Sequence, residues 1–280
     1  MMIRRLSPAK INLHLRVLRK REDGYHDLAT LMQRISLYDE LTIFPANDRI
    51  VIRCPDSHLP ENRENIVYRA AEAFFSTAGL PSRGIEIVIK KHIPIAAGLG
   101  GGSSNAATAL AAMNEMSGNP LSMQRLMDLG TRLGADVPFF LFEKTAWAFG
   151  IGDRLEEARN IPPYWFVLIN PGYEISTKKV YEELNFRLTK ETINYSIPRF
   201  LEAPDLAAVL HNDLESVTLK LHPELHHLKE LLLRHGASGA LMAGSGPTVF
   251  GIFDQEAAAL EAADTLRSKG VGLVFTAHSI

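Results

Sequence analysis

Residues 98–108 read "GLGGGSSNAAT", with Gly98, Gly100, Gly101 and Gly102 packed together ahead of two serines and small helix-forming residues. What surrounds this stretch decides its meaning. Before it, "GIEIVIKK" (84–91) places Ile85, Ile87 and Ile89 on one side of a strand. After it, "SSNAATALAAMNEMSG" (103–118) reads as a helix closed by Gly118 and Pro120. A slack Gly/Ser linker does not normally sit between a buried strand and a helix. An anion cradle does: bare backbone N–H groups and the positive end of the helix dipole face one point, and glycine removes the side chains between them. Ser103 and Ser104 add hydroxyl donors, and Ala106, Ala107 and Ala109 keep the helix slim. No lysine follows the glycines as the GxxxxGK[ST] loop requires, and Ser103 stands where GxGxxG needs its third glycine.

Working outward, "INLHLRV" (11–17) alternates, with Ile11, Leu13, Leu15 and Val17 on one face and Asn12, His14 and Arg16 on the other. "KREDG" (20–24) breaks that strand. "LTIFPA" (41–46) and "RIVIRC" (49–54) read as further strands, as do "YWFVLINPG" (164–172) and "LVFTAH" (273–278). "NIVYRAAEAFFSTAG" (65–79) is a helix with Asn65 as N-cap and Gly79 as stop. "SMQRLMDLGTRLG" (122–134), "HPELHHLKELLLRHG" (222–236) and "DQEAAALEAADTLRSKG" (254–270) are three more, while "GALMAGSGPTVFGIF" (239–253) reads as strand, loop and strand. The mixture lacks strict βαβ alternation, so the fold class is α+β. The charged, proline-bearing "DRLEEARNIPP" (153–163) marks the expected domain boundary.

Composition narrows the function classes. The 280 residues carry 30 basic and 32 acidic side chains, a net charge of −2 that offers no general attraction for nucleic acid or an anionic membrane. Cys54 is the only cysteine, which excludes an internal disulfide and a cysteine-cluster metal site. The first residues do not read as a secretory signal and no apolar run approaches membrane-spanning length, so a soluble, cytoplasmic protein is expected.

"PIAAGLGGGSSNAA" (Pro94–Ala107) resembles the phosphate-binding motif of the GHMP kinases, a superfamily of small-molecule kinases. Ala96 stands where some members have glycine. "SPAKINLHL" (7–15) is similar to that family's first motif and "MAGSGPTVF" (242–250) to its third, with Ala243 in place of a common Ser or Thr. Taken alone, the third stretch reads equally as a tight turn with Gly244 and Gly246 at positive φ. The resemblance implies a two-domain GHMP kinase fold with the active-site cleft between the domains. Residues 1–155 would form the N-terminal ATP-binding and catalytic domain and 156–280 the C-terminal domain. It implies ATP as phosphoryl donor, with Mg²⁺ carried by ATP and no dedicated protein metal site. ATP would lie on Pro94, Ile95, Ala96, Ala97, Gly98, Leu99, Gly100, Gly101, Gly102, Ser103 and Ser104.

The resemblance also assigns chemistry. Phosphorylating an alcohol calls for a base near the hydroxyl and charge stabilisation of the transferring group. Asp136 is the implied base and Lys10 its electrostatic partner. From pattern alone, Lys10 reads as a solvated lysine before a strand and Asp136 as a turn residue or helix cap. "AKINLHLRVLRKREDGYHDLATLMQ" (9–33), "LGADVPFFL" (133–141) and "NPGYEISTKKVY" (170–181) are similar to the branch whose small-molecule substrate is a cytidine diphosphate-linked methylerythritol. That branch's cytosine pocket maps onto Tyr25 and His26, with Tyr181 as a second aromatic wall and Asn12 and Thr177 as further substrate contacts. Packing roles in a hairpin and on a helix are the plainer readings of Tyr25 and Tyr181. A homoserine- or mevalonate-type kinase has no base to stack, and a nucleotide-binding regulator has no need of Lys10 and Asp136. For adenine, the Asn65–Val67 helix start and Lys91 are candidates, though a capped helix and a solvated strand lysine explain them equally well. His226 and His227 read as surface residues.

Overall fold

In the computed structural model, residues 2–46, 48–80, 84–184 and 206–280 are described. Two long strands begin the chain, β1 (Ile3–Lys20) and β2 (His26–Ala46), joined by the expected turn, in which Arg21 N–H donates to the Tyr25 carbonyl at 2.8 Å. Ile11, Leu13, Leu15 and Val17 are buried as their alternation predicts, but Lys10, Asn12 and His14 are buried too. Both faces of β1 are therefore covered, and its polar side is a built interior. The same reason explains why β2 starts far ahead of "LTIFPA": Thr30, Gln33 and Asp39 are buried polar residues that mask the strand's periodicity.

The chain forms two compact units that interleave along the sequence. The first comprises Met1–Ala9, Leu37–Pro94 and Gly100–Glu143. Here β3 (Ile50–Arg53) runs parallel to β4 (Gly84–Lys90), and β4 pairs antiparallel with the later part of β2, Glu40 opposite Lys90 through Ala46 opposite Gly84. Helices α1 (Ile66–Ala78), α2 (Gly101–Met116), α3 (Met123–Leu133) and the short α4 (Val137–Phe142) pack together. Asn65 caps α1 by accepting the Val67 N–H, and Gly79 ends it at φ 63°, as its sequence predicts. Helix α4 was not expected; "ADVPFF" reads as a turn, and Pro138 in the first turn, where a missing N–H costs nothing, lets it begin.

The second unit comprises Lys10–Ser36, Ile95–Leu99 and Lys144–Ile280. The early part of β2 pairs antiparallel with β5 (Ala146–Gly150), which pairs with β6 (Arg154–Glu157). A four-stranded sheet contains β7 (Trp165–Asn170), β9 (Gly239–Met242), β10 (Val249–Phe253) and β11 (Leu273–His278), in the order β11-β7-β10-β9. The two-residue β8 (His211–Asn212) runs parallel to β1. Helices α5 (Thr177–Glu183), α6 (Glu215–Leu221), α7 (Glu224–Arg234) and α8 (Glu256–Ser268) complete the unit. Its core joins Val167, Ile169, Leu225, Leu232, Phe253 and Leu266. Parallel and antiparallel pairings coexist, so the chain is α+β. Among the described residues, no helix is long and apolar enough to cross a membrane.

Candidate active site

The glycine stretch leads from β4 to α2, in the setting its flanks predict. Gly100 is the N-cap residue at φ 69°, a left-handed conformation that favours glycine, and no side chain caps the helix there. Gly98 is also left-handed at φ 77°, and so is Ala96 at φ 50°. Ala97 and Leu99 are buried and pin the loop, while Ile95, Ala96 and Gly102 are exposed. The two serines separate. Ser103 is half-buried, whereas Ser104 is wholly buried, its hydroxyl accepting from Ser7 at 2.8 Å and its N–H donating to the Gly100 carbonyl at 2.9 Å. Ser104 thus braces the loop from behind and is not the exposed hydroxyl donor its position suggests.

Lys10 lies on β1 and is 5% exposed, so the solvated reading fails. Its ammonium donates to Asn12 Oδ1 at 2.7 Å, and its backbone N–H donates to the Leu99 carbonyl at 2.9 Å. Asn12 Nδ2 in turn donates to Thr30 Oγ1 at 2.8 Å, and that hydroxyl donates to the His14 carbonyl at 2.6 Å. The chain of donors fixes the Asn12 amide with its oxygen toward Lys10.

The third motif meets the same place. Gly244 and Gly246 are at φ 55° and 86°, so the tight-turn reading holds. The turn also packs on the glycine loop: a Cβ on Gly244 would stand 3.3 Å from the Gly98 carbonyl oxygen and 3.5 Å from Asn12 Oδ1. Lys10, Asn12, Gly98, Leu99 and Gly244 therefore converge within the second unit.

Asp136 belongs to the first unit, as the N-cap residue of α4. Its side chain makes no capping bond, which removes the cap as its explanation. A Cβ on Gly134, two residues earlier, would lie 3.8 Å from Ser103 Oγ, so this turn packs beside the start of α2.

At the cytidine-binding candidates, Tyr25 is 60% exposed on the turn before β2. His26 is buried and stacks on Tyr181, ring centroids 4.9 Å apart and planes at 24°. Burial, and then the charge of Lys20, hold the His26 imidazole below the ordinary histidine pKa, in its neutral form. Tyr181 also packs on the hydrophobic core, so its packing reading is correct as well. Thr177 opens α5, and its hydroxyl pairs with Ser245 Oγ of the third motif at 2.8 Å.

Several residues that hold these groups carry no sequence signal. Asn212 donates to the carbonyls of Met242 at 2.8 Å and Gly244 at 2.7 Å, gripping the third motif on both sides of Ala243. Lys91 is not a solvated strand lysine: its side chain is 8% exposed and paired with Asp39. Asn65 is spent on Val67 N–H and the Pro60 carbonyl. "HND" and "LYDE" look like ordinary turn and strand-end text, and only tertiary partners reveal them.

Comparison with known proteins places relatives of this chain in one kinase family. The GHMP kinases N terminal domain matches residues 65–144, and the GHMP kinases C terminal domain matches 198–272. The 4-diphosphocytidyl-2-C-methyl-D-erythritol kinase of Syntrophus aciditrophicus (strain SB) is 61% identical over 279 residues, covering 100% of both chains. A crystal structure of 4-(cytidine 5'-diphospho)-2C-methyl-D-erythritol kinase superposes with TM-score 0.83 at 36% identity, covering 99% of each chain. Homoserine kinase from Cytophaga hutchinsonii superposes with TM-score 0.76 at 18% identity, covering 100% of this chain and 94% of its own, a likeness of fold alone.

Proposed function

This chain belongs to the GHMP kinases and, within them, to the 4-diphosphocytidyl-2-C-methyl-D-erythritol kinase family, and from that premise we infer its reaction and the residues that carry it. The reaction moves the γ-phosphoryl group of ATP to the 2-hydroxyl of 4-(cytidine 5'-diphospho)-2-C-methyl-D-erythritol, a step of the non-mevalonate isoprenoid route. The convergence of Lys10, Asn12, the Gly98–Leu99 backbone and Gly244 is the observation that supports the assignment best.

The loop Pro94–Ser103 receives the ATP phosphates on backbone N–H groups at the start of α2, with Ser104 bracing it from the interior. Mg²⁺ bound to ATP would supply charge neutralisation for the transferring phosphoryl group. Among the described residues no cluster of three His, Cys, Asp or Glu side chains offers a separate metal cage. Asp136 accepts the proton of the substrate hydroxyl, and Lys10, its charge oriented by Asn12, stabilises the transferring phosphoryl oxygens. Tyr25 stacks on the cytosine, neutral His26 reads its edge, Tyr181 holds His26 in plane, and Thr177 contacts the substrate beside Ser245. The two family matches, 65–144 and 198–272, lie on either side of the division expected at residues 155 and 156, while the compact units interleave along the sequence. The single buried cysteine suits a cytoplasmic protein.

A coupled ADP-release assay with the cytidine substrate, homoserine and mevalonate tests this reading. Turnover is expected with the cytidine substrate. Turnover with only one of the others overturns the substrate, and none with any of the three overturns the reaction.

A further inference from the structure

Asp39 is wholly buried, yet its carboxylate receives four donors. Oδ1 accepts the backbone N–H groups of His92 at 2.8 Å and Ile93 at 2.9 Å. Oδ2 accepts Asn105 Nδ2 at 2.9 Å and the Lys91 ammonium. These partners are not scattered. His92 and Ile93 are the last residues before the glycine loop, and Asn105 stands at the start of the second turn of α2, just past the end of the loop. One carboxylate therefore holds both ends of the loop.

Two further contacts extend the latch. Asn105 Nδ2 also donates to Ser7 Oγ at 2.9 Å, and Ser7 donates to Ser104 Oγ at 2.8 Å. The Lys91 ammonium lies 3.1 Å from where a Gly101 Cβ would stand, so the first glycine of α2 makes room for the ion pair.

We propose that Asp39 is a positioning residue for ATP, closing the Pro94–Ser103 loop at both ends so that its N–H groups are preset for phosphate. The proposal rests on the reading of that loop as the ATP cradle. Asp39 is buried and acts only through the loop. A glycine-rich loop left free at either end would lose more conformational freedom on binding, and presetting it removes that cost from the affinity. The chemistry demands a carboxylate. It is acceptor-only, whereas an asparagine would turn an NH₂ toward the Lys91 ammonium and the Asn105 amide.

Asp39→Asn also strands a buried lysine, so its failure to fold would be uninformative by itself. Asn105→Ala keeps the ion pair and cuts the latch at the α2 end, and it is the deciding variant. Its KM for ATP should rise about ten-fold, the loss of one hydrogen bond to a charged group. Its kcat should fall by less than about two-fold, as preorganisation affects binding more than chemistry. KM for the cytidine substrate should not move, and amide hydrogen exchange across residues 94–104 should accelerate. Wild-type turnover with ATP is the control on which the ATP reading itself stands or falls. Given that control, unchanged ATP affinity in Asn105→Ala overturns the proposal. So does an equal rise in KM for both substrates, which would mark a general loss of structure.

Discussion

Gly98 and Ala243 touch through their backbones: a Cβ on Gly98 would stand 2.0 Å from the Ala243 carbonyl oxygen and 3.3 Å from the Gly246 nitrogen. Backbone cannot yield as a side-chain tip does, and Gly98 is also at φ 77°. Gly98→Ala should therefore push the phosphate loop and the third motif apart, costing about 2 kcal/mol or more of stability and weakening ATP binding. Gly118→Ala is the control. Its φ is 80°, but a Cβ there meets nothing within 4 Å, so only the strain of about 1–2 kcal/mol applies and ATP affinity stays. Thermal unfolding and nucleotide titration of both variants separate the two terms.

Tyr25 is exposed and its ring supports no core, so Tyr25→Ala should leave the melting temperature in place. Losing one base–aromatic stack of about 1–3 kcal/mol should weaken binding of the cytidine substrate roughly 5- to 150-fold, with ATP affinity unchanged. Calorimetric titration of each ligand decides it. Equal weakening of ATP would remove Tyr25 from the cytosine site.

The pH dependence follows from His26 and His14. Burial, then Lys20, lowers the His26 pKa; burial is also the largest cause at His14, where the Val209 carbonyl opposes it. A histidine whose folded pKa lies below its unfolded value binds fewer protons when folded. Its stabilising contribution is full above the ordinary value of about 6.5 and is lost as pH falls through the window beneath it. Stability should fall on acidification below about pH 6.5 and be flat above it as far as these two groups are concerned. KM for the cytidine substrate should rise over the same acid range, since protonated His26 has lost its acceptor nitrogen. With the His26 imidazole titration followed by NMR in the same protein, a substrate KM that stays constant while that ring takes up its proton would rule out His26 as the reader of the cytosine edge.

Much of this was legible in sequence because local chemistry dictated it. Asn65 and Gly79 bound α1 by capping rules that need no tertiary partner, and the strand before the glycines at 98–102 and the helix after them follow from local pattern in the same way. What was illegible was polar burial. Thr30, Gln33 and Asp39 interrupt the alternation of β2 because they face partners from distant segments, and a period-two pattern cannot register that. Lys91 looked solvated for the same reason: its partner Asp39 lies 52 residues away. Ser103 and Ser104 are adjacent in sequence, yet helix geometry turns one outward and the other onto Ser7.

Asp136 makes no capping bond to α4, so Asp136→Ala forfeits little helix stability. Turnover should nonetheless fall about 100-fold or more, the usual contribution of a general base, while ATP still binds. Near-wild-type turnover in a folded Asp136→Ala protein would show that the hydroxyl needs no base from this residue.

Thr30 decides which way Asn12 presents its amide, and this reaches Lys10. The Thr30 hydroxyl donates to the His14 carbonyl at 2.6 Å, so it serves Asn12 only as acceptor, and Asn12 must turn its NH₂ toward Thr30 and its oxygen toward Lys10. Thr30→Val keeps the volume and deletes the acceptor, leaving a buried amide N–H unsatisfied at a cost of about 1–3 kcal/mol. Relaxing that amide turns a donor toward the Lys10 ammonium and displaces the charge proposed to steady the phosphoryl group. The kcat of Thr30→Val should drop about ten-fold, with KM for ATP nearly constant. Thr30→Ser, which restores the hydroxyl without the methyl, should recover most of the rate. If the serine variant is no faster than the valine, the defect lies in packing and the relay from Thr30 to Lys10 plays no part in turnover.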